Sequence, residues 1–188
     1  SCEKWLEPFG EILGLNHESV EPWGDVVKAS KDNAVLVEGT IDKEYLEYIS
    51  SLQIKGFTIP EGVEIIAYGG KDALKNSIML KFVIEKFNRV FITYDLDAQN
   101  ELQKVMAQLS LENDRDHMAV GLNEAGKDCI EGLLPQGILS NVYGNNTDTV
   151  MKLTSTDTKA RKSAKNELKG KLLEEIKKAK NISSTDLK

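Results

Sequence analysis

The feature that most constrains this chain is an alternation of short, β-branched apolar runs with longer segments of helical period. Ala34-Val-Leu-Val37, Val63 to Tyr68, Val90 to Tyr94 and His117 to Gly121 each have the length and composition of a strand. Between them, Asp42 to Leu52, Lys71 to Phe87 and Ala98 to Leu111 carry apolar residues at helical spacing. Parallel strands need crossovers of a dozen or more residues, and these segments supply them. The expected fold class is α/β, a Rossmann-like parallel sheet of about four strands with helices on both faces.

The flanks read differently. Lys4 to Leu13 and Val20 to Lys28 are helix-like but interrupted by Pro8, Gly14, Pro22 and Gly24, which suggests a helical lead-in over residues 1–30. After the core at 31–150, in which a helix is expected from about Asp128 and a loop from Gly144 to Asp148, Thr158 to Lys180 reads as one long helix. Ala164, Leu168, Leu172 and Ile176 fall at steps of four along it, so residues 151–188 are expected to pack a basic C-terminal helix on the core.

With 188 residues, 40% of them hydrophobic and 29% charged, the chain has the balance of a domain that buries a core. Its longest apolar runs are too short to span a bilayer and its start lacks a signal-peptide pattern, so a cytoplasmic protein with no membrane partner is expected. Cys2 and Cys129 form no CxxC, which argues against a disulfide framework or a cysteine zinc centre. The first residue is Ser1 rather than Met, which leads us to expect a piece of a longer protein.

Charge is unevenly distributed. From Lys152 onward there are 11 Lys/Arg against 5 Asp/Glu, whereas the preceding residues carry 13 against 25. An acidic body with a basic tail suits either a carboxylate-rich metal site beside a phosphate-contacting arm or a solvated amphipathic helix.

In an open parallel sheet the crevice at the carboxyl ends of the strands is the usual ligand site. Acidic residues stand just there. The first strand runs into Glu38-Gly39 and Asp42, the third into Asp95-Leu-Asp97, and the fourth is followed by Asp128 and Glu131. Like charges brought together repel and raise one another's pKa, a conflict that a hard divalent cation such as Mg²⁺ resolves. In extended chain, Asp95 and Asp97 would point the same way and share an ion.

Val-Leu-Val-Glu38-Gly39-x-x-Asp42 together with Phe91-Ile-Thr-Tyr-Asp95-Leu-Asp97 resembles the glutamate and aspartate motifs of the Toprim family. Among its branches the chain looks most like the C-terminal nuclease domain of the overcoming-lysogenization-defect (OLD) proteins, over about residues 34 to 170. That likeness rests on Glu38 and Asp42, on Gly69-Gly70-Lys71 and on Asp128-Cys-Ile-Glu131-Gly-Leu-Leu-Pro135. The resemblance implies a DNA endonuclease or nickase using two Mg²⁺ or Mn²⁺ ions, attached to an N-terminal ATPase portion. It implies that Glu38 and Asp42 help hold one ion, that Asp95, Asp97, Asp128 and Glu131 serve or bridge to a second, and that a lysine stabilises the transition state. Lys159, Lys162 and Lys165 are the candidates, with Lys162 and Lys165 preferred. A non-cleaving Toprim-like module that binds metal or phosphate is the alternative, as is a primase or topoisomerase reaction, although nothing marks Tyr68, Tyr94 or Tyr143 as a nucleophile.

Plainer readings accompany several of these residues. Glu38 and Asp42 can be early-helix acids, Asp95 and Asp97 turn formers or caps, and Asp128 and Glu131 a cap pair. Gly69-Gly70-Lys71 reads either as a phosphate cradle or as a strand-to-helix turn. Gly121 to Lys127 fits G-x-x-x-x-G-K, but Asp128 stands where a P-loop needs Ser or Thr. His17 and His117 lack partners for a zinc site or a catalytic triad, and Trp5 and Trp23 read as packing anchors.

Overall fold

The computed structural model describes residues 6–12, 14, 20–54, 56, 58–124 and 127–178. Four strands, β1 (Asn33–Val37), β2 (Val63–Ala67), β3 (Arg89–Asp95) and β4 (His117–Val120), form a parallel sheet in the order β2-β1-β3-β4. Each lies within a residue or two of its run in the sequence. The register sets Leu36 beside Ile66 and Ile92, and Ile92 beside His117, so one buried row crosses the sheet.

Helices α1 (Leu6–Ile12) and α2 (Gly24–Lys28) belong to the lead-in; Trp5 and His17 lie outside the described residues. Helix α3 (Thr40–Ser51) connects β1 to β2. Helices α4 (Lys71–Leu74) and α5 (Ser77–Lys86) connect β2 to β3, and α6 (Gln99–Gln108) connects β3 to β4. Helices α7 (Gln136–Asn145), α8 (Thr147–Lys152) and α9 (Thr158–Lys178) follow β4. Among the described residues, no helix is long and apolar enough to cross a membrane.

Three local departures from the sequence reading have identifiable causes. The segment from Lys71 to Phe87 is two helices rather than one, because the Asn76 side chain accepts a hydrogen bond from the Met79 N–H at 3.2 Å and caps a fresh start. The polar stretch from Gly144 to Asp148 is helical apart from Asn146. That residue's carboxamide donates to the Val142 carbonyl at 2.7 Å and accepts from Lys171 Nζ at 2.6 Å, so one side chain satisfies the break. Asp128 starts no α-helix; a 3-10 turn, Ile130–Leu133, follows, and α7 begins after Pro135.

Two apolar clusters form the interior. The larger packs Trp23 and Val26 of the lead-in, Leu36, Ile66 and Ile92 of the sheet, and residues of α5 and α6. Trp23 stacks on Tyr68 with ring centroids 6.2 Å apart, which makes it a packing anchor. The second joins Tyr45 of α3, Leu139 and Val142 of α7, and Leu168, Leu172, Leu173 and Ile176 of α9. Ala164, Leu168, Leu172 and Ile176 are each at most 4% exposed, so the four-residue stripe is the face that holds the basic helix down.

Candidate functional site

Strand order reverses direction between β1 and β3, and the crevice beyond their carboxyl ends is where such sheets bind ligands. Glu38 leaves β1 there and Asp95 ends β3. The Glu38 backbone is held firmly: its carbonyl accepts from the N–H groups of Gly69 and Gly70 at 3.1 and 3.0 Å. Gly70 adopts φ +109°, a conformation open to glycine but strained for other residues. This decides between the readings of Gly69-Gly70-Lys71. Both amides are committed to Glu38, and Lys71 is paired with Glu101 at 3.0 Å, so the segment is a turn that fixes the site rather than a phosphate cradle.

Asp42 sits in the first turn of α3. One carboxylate oxygen accepts from the Gly39 N–H at 2.8 Å, while the other, Oδ1, is buried without a hydrogen-bond donor. The early-helix reading of Asp42 therefore accounts for half of this carboxylate. Glu131 lies in the 3-10 turn and is 3% exposed, with both oxygens lacking a hydrogen bond. Its position depends on a close backbone crossing: a Cβ on Gly132 would stand 2.3 Å from Lys127 Cα.

Asp95 is 7% exposed, but the chain does not stay extended beyond it. Leu96–Ala98 forms a 3-10 turn, so the expected alternation breaks down and Asp97 is exposed at the rim. Asp128 contributes its backbone: its carbonyl accepts from the Leu96 N–H at 2.8 Å, linking the β3 exit to the late acidic turn.

The cation among these acids is Lys169. Its ammonium lies 2.9 Å from Glu131 Oε1, off hydrogen-bond alignment, and 3.5 Å from Asp42 Oδ1, with only 14% of the side chain exposed. Lys165 reaches Asp95 at 3.8 Å from the mouth of the site. Lys159 and Lys162 are exposed outside it. Sequence reasoning stopped one turn short of Lys169, although its helical phase carried a signal, since it is next to Leu168 and three and four residues before Leu172 and Leu173.

Burial dominates the electrostatics. It pushes the Asp95 carboxyl up to about 7, against the pull of Lys169 and with added repulsion from Glu38. Glu38 and Asp42 are also raised, chiefly by burial, with Asp95 backbone hydrogen bonding opposing the shift in the first and Lys169 in the second. Burial works against the charge on Lys169, yet Glu131 and then Asp42 hold its pKa above the ordinary lysine value.

Buried carboxylate oxygens without donors, in an acid-rich pocket, fit the hard oxygen chemistry that Mg²⁺ and Mn²⁺ prefer. The side chains are not drawn into a ligand shell: among the described residues, no group of three His, Cys, Asp or Glu is arranged to hold a metal ion. Glu38, Asp42, Asp95 and Asp97 thus share a neighbourhood without the bridging reach expected of them. Glu38, Asp42 and Asp95 line one side of a largely apolar cavity of about 470 Å³ whose other walls include Leu46, Ile49 and Leu134. A larger hollow of about 660 Å³ lies at the opposite ends of the strands, near Arg89 and Arg115, and has no such group of orphaned acids.

The remaining motifs are structural. Gly121 bends away from β4 so tightly that a Cβ would meet the Asp128 backbone at 2.5 Å, and Lys127 leads into the 3-10 turn Ile130–Leu133 rather than the α-helix of a P-loop, while Gly126 lies outside the described residues. His117 is buried with Nδ1 3.0 Å from the Tyr94 hydroxyl. Cys129 is a buried thiol pushed up to about 12 by burial and then by Glu131, so it is a poor nucleophile. Compared with family models, curated proteins and solved structures, the chain has no significant match to any.

Proposed function

We propose that this chain is a Toprim-type domain that cleaves nucleic-acid phosphodiester bonds with divalent metal, most like the nuclease domain of OLD proteins and joined to an ATPase portion in a longer protein. The observation that carries the reading is the gathering of half-buried Glu38 with buried Asp42, Asp95 and Glu131 at the reversal point of the sheet, around the ammonium of Lys169. One buried ammonium and one at the mouth offset only part of the charge of four carboxyl groups, an imbalance that a structural role alone does not require. The α/β frame with strand order β2-β1-β3-β4 is compatible with it.

In this reading Glu38, Asp42, Asp95 and Glu131 hold Mg²⁺ or Mn²⁺, with Asp97 and Asp128 at the margin. A metal bound there would supply Lewis acidity toward the phosphate and lower the pKa of a water. Hydrolysis would form one P–O bond from water and break the P–O bond to the leaving sugar oxygen, which takes up a proton while the water gives one up. Lys165, exposed at the mouth, faces an entering phosphate, and Lys169 supplies positive charge where the phosphate oxygens gain negative charge. Lys162, further out on α9, is left to contact the DNA backbone.

The second reading is a non-cleaving metal- or phosphate-binding module; its phosphate-binding form needs no ready ligand trio, and among the described residues none is formed. A tyrosine-based topoisomerase reaction finds little support. Tyr68 donates to the Thr93 carbonyl at 2.9 Å, Tyr94 is paired with His117, and burial raises the pKa of both and of Tyr143. Plasmid nicking with Mg²⁺ or Mn²⁺ separates the readings. Cutting by the native chain that is lost in Glu38→Gln and Asp95→Asn supports the nuclease, whereas no cutting with either ion supports the module.

A further inference from the structure

We infer that Lys169 is a resident counter-cation occupying a position that a divalent ion also uses, so that metal and lysine compete for the Asp42–Glu131 pair. This rests on the metal-binding half of the function proposed above, but not on cleavage.

Three observations converge. The Asp42 and Glu131 carboxylates come from elements far apart in sequence, yet both face one point, and the Lys169 ammonium stands there at 3.5 and 2.9 Å. Asp42 Oδ1 and both Glu131 oxygens are buried with no aligned hydrogen bond, so the neighbouring Lys169 ammonium is the charge that offsets them. No ligand trio is formed while the lysine is in place, among the described residues.

An ammonium and a hard divalent ion both seek carboxylate oxygen, and two cations inside one small buried site repel. A metal entering between Asp42 and Glu131 therefore expels the ammonium. Without metal, the lysine keeps the acids from being buried with no opposing charge, and metal binding frees its positive end for an incoming phosphate. The arrangement makes metal occupancy a precondition for presenting that charge to substrate.

The experiment measures lysine accessibility in the native chain. It is labelled briefly with an amine-reactive acylating reagent, with and without saturating Mg²⁺ or Ca²⁺, and each lysine is read by mass spectrometry against exposed Lys104. Binding of the ion is followed in parallel by calorimetry. Lys169 labelling is expected to rise about tenfold with metal, within the usual range of coupling between two ligands, while Lys104 stays constant. In Lys169→Met, which keeps length without charge, the same metal is expected to bind about tenfold more tightly although the metal-free fold is weaker. Metal binding that leaves Lys169 protected, or affinity in Lys169→Met equal to or below native, overturns the competition while leaving the metal site standing. Failure of Mg²⁺, Mn²⁺ and Ca²⁺ to bind either protein overturns both. If Lys169→Met does not fold without metal, the labelling of the native chain decides alone.

Discussion

The two ends of the sheet treat acidic residues in opposite ways. At the amino end, Asp116 precedes β4, receives the Glu112 N–H at 2.8 Å and pairs with Arg115 at 2.7 Å; the Arg115 guanidinium holds its carboxyl below the usual range. At the carboxyl end, Asp95 is buried against other acids and its carboxyl is pushed up to about 7. One aspartate is satisfied by its neighbours and contributes to the fold. The other is buried where its charged form is disfavoured, the environment on which the metal-site proposal draws.

The hardest test of this contrast is catalytic. Glu38→Gln and Asp95→Asn are each expected to lower metal-dependent nicking by about 10³-fold, a loss typical of removing one essential electrostatic contact, whereas Asp116→Asn leaves it essentially unchanged. Equal losses at both ends in a plasmid assay would mean that stability, not chemistry, is being read.

Next in size is the scaffold of the carboxyl end. Gly132→Ala forces a contact 2.3 Å from Lys127 Cα and is expected to destabilise the chain by about 1–3 kcal/mol in urea unfolding. Gly137→Ala, with nothing within 4 Å of the new methyl, is expected to be neutral or slightly stabilising in the same measurement.

The pH dependence then separates the two aspartates directly. Because the folded pKa of Asp95 is raised, its favourable contribution is complete below its ordinary value of 3.8 and is lost as pH rises through about 7. Metal-free Asp95→Asn is therefore expected to melt above native by about 4 °C at pH 8 and alongside it at pH 4. The folded pKa of Asp116 is lowered, so its contribution is present above 3.8 and lost as pH falls through that depressed value. Asp116→Asn is accordingly expected to melt below native at pH 7, by no more than about 1 kcal/mol given solvent screening, with the deficit fading in acid. Matching pH profiles for the two variants, measured by calorimetry, would erase the distinction between the ends.

Much of the frame was legible because hydrophobic period reports burial. Ala34 to Val37 and Val90 to Tyr94 are β-branched and apolar, and such runs end where the backbone leaves the sheet, which put Glu38 and Asp95 at its edge. The path of the chain at Asp97 was not legible because strand alternation does not extend into the 3-10 turn Leu96–Ala98. Asp128 was harder: whether a loop presents a carboxylate or a carbonyl depends on tertiary hydrogen bonds, here to Leu96. The lysine was obscured by abundance. Lys159, Lys162, Lys165 and Lys169 are alike in composition, and what distinguishes the last is its place beside the packed stripe of α9, where the helix passes over Asp42 and Glu131. The break at Asn146 depends equally on partners distant from any local pattern.

The docking of α9 on α3, where the Tyr45 hydroxyl meets the Lys169 carbonyl across 124 residues, also has a temporal meaning. Contacts that span so much of a chain carry a loop-closure cost that must be met before they stabilise anything, which slows folding. Lys169 reaches Asp42 and Glu131 from α9, so the element that brings their counter-charge is one joined to α3 only through long-range contacts.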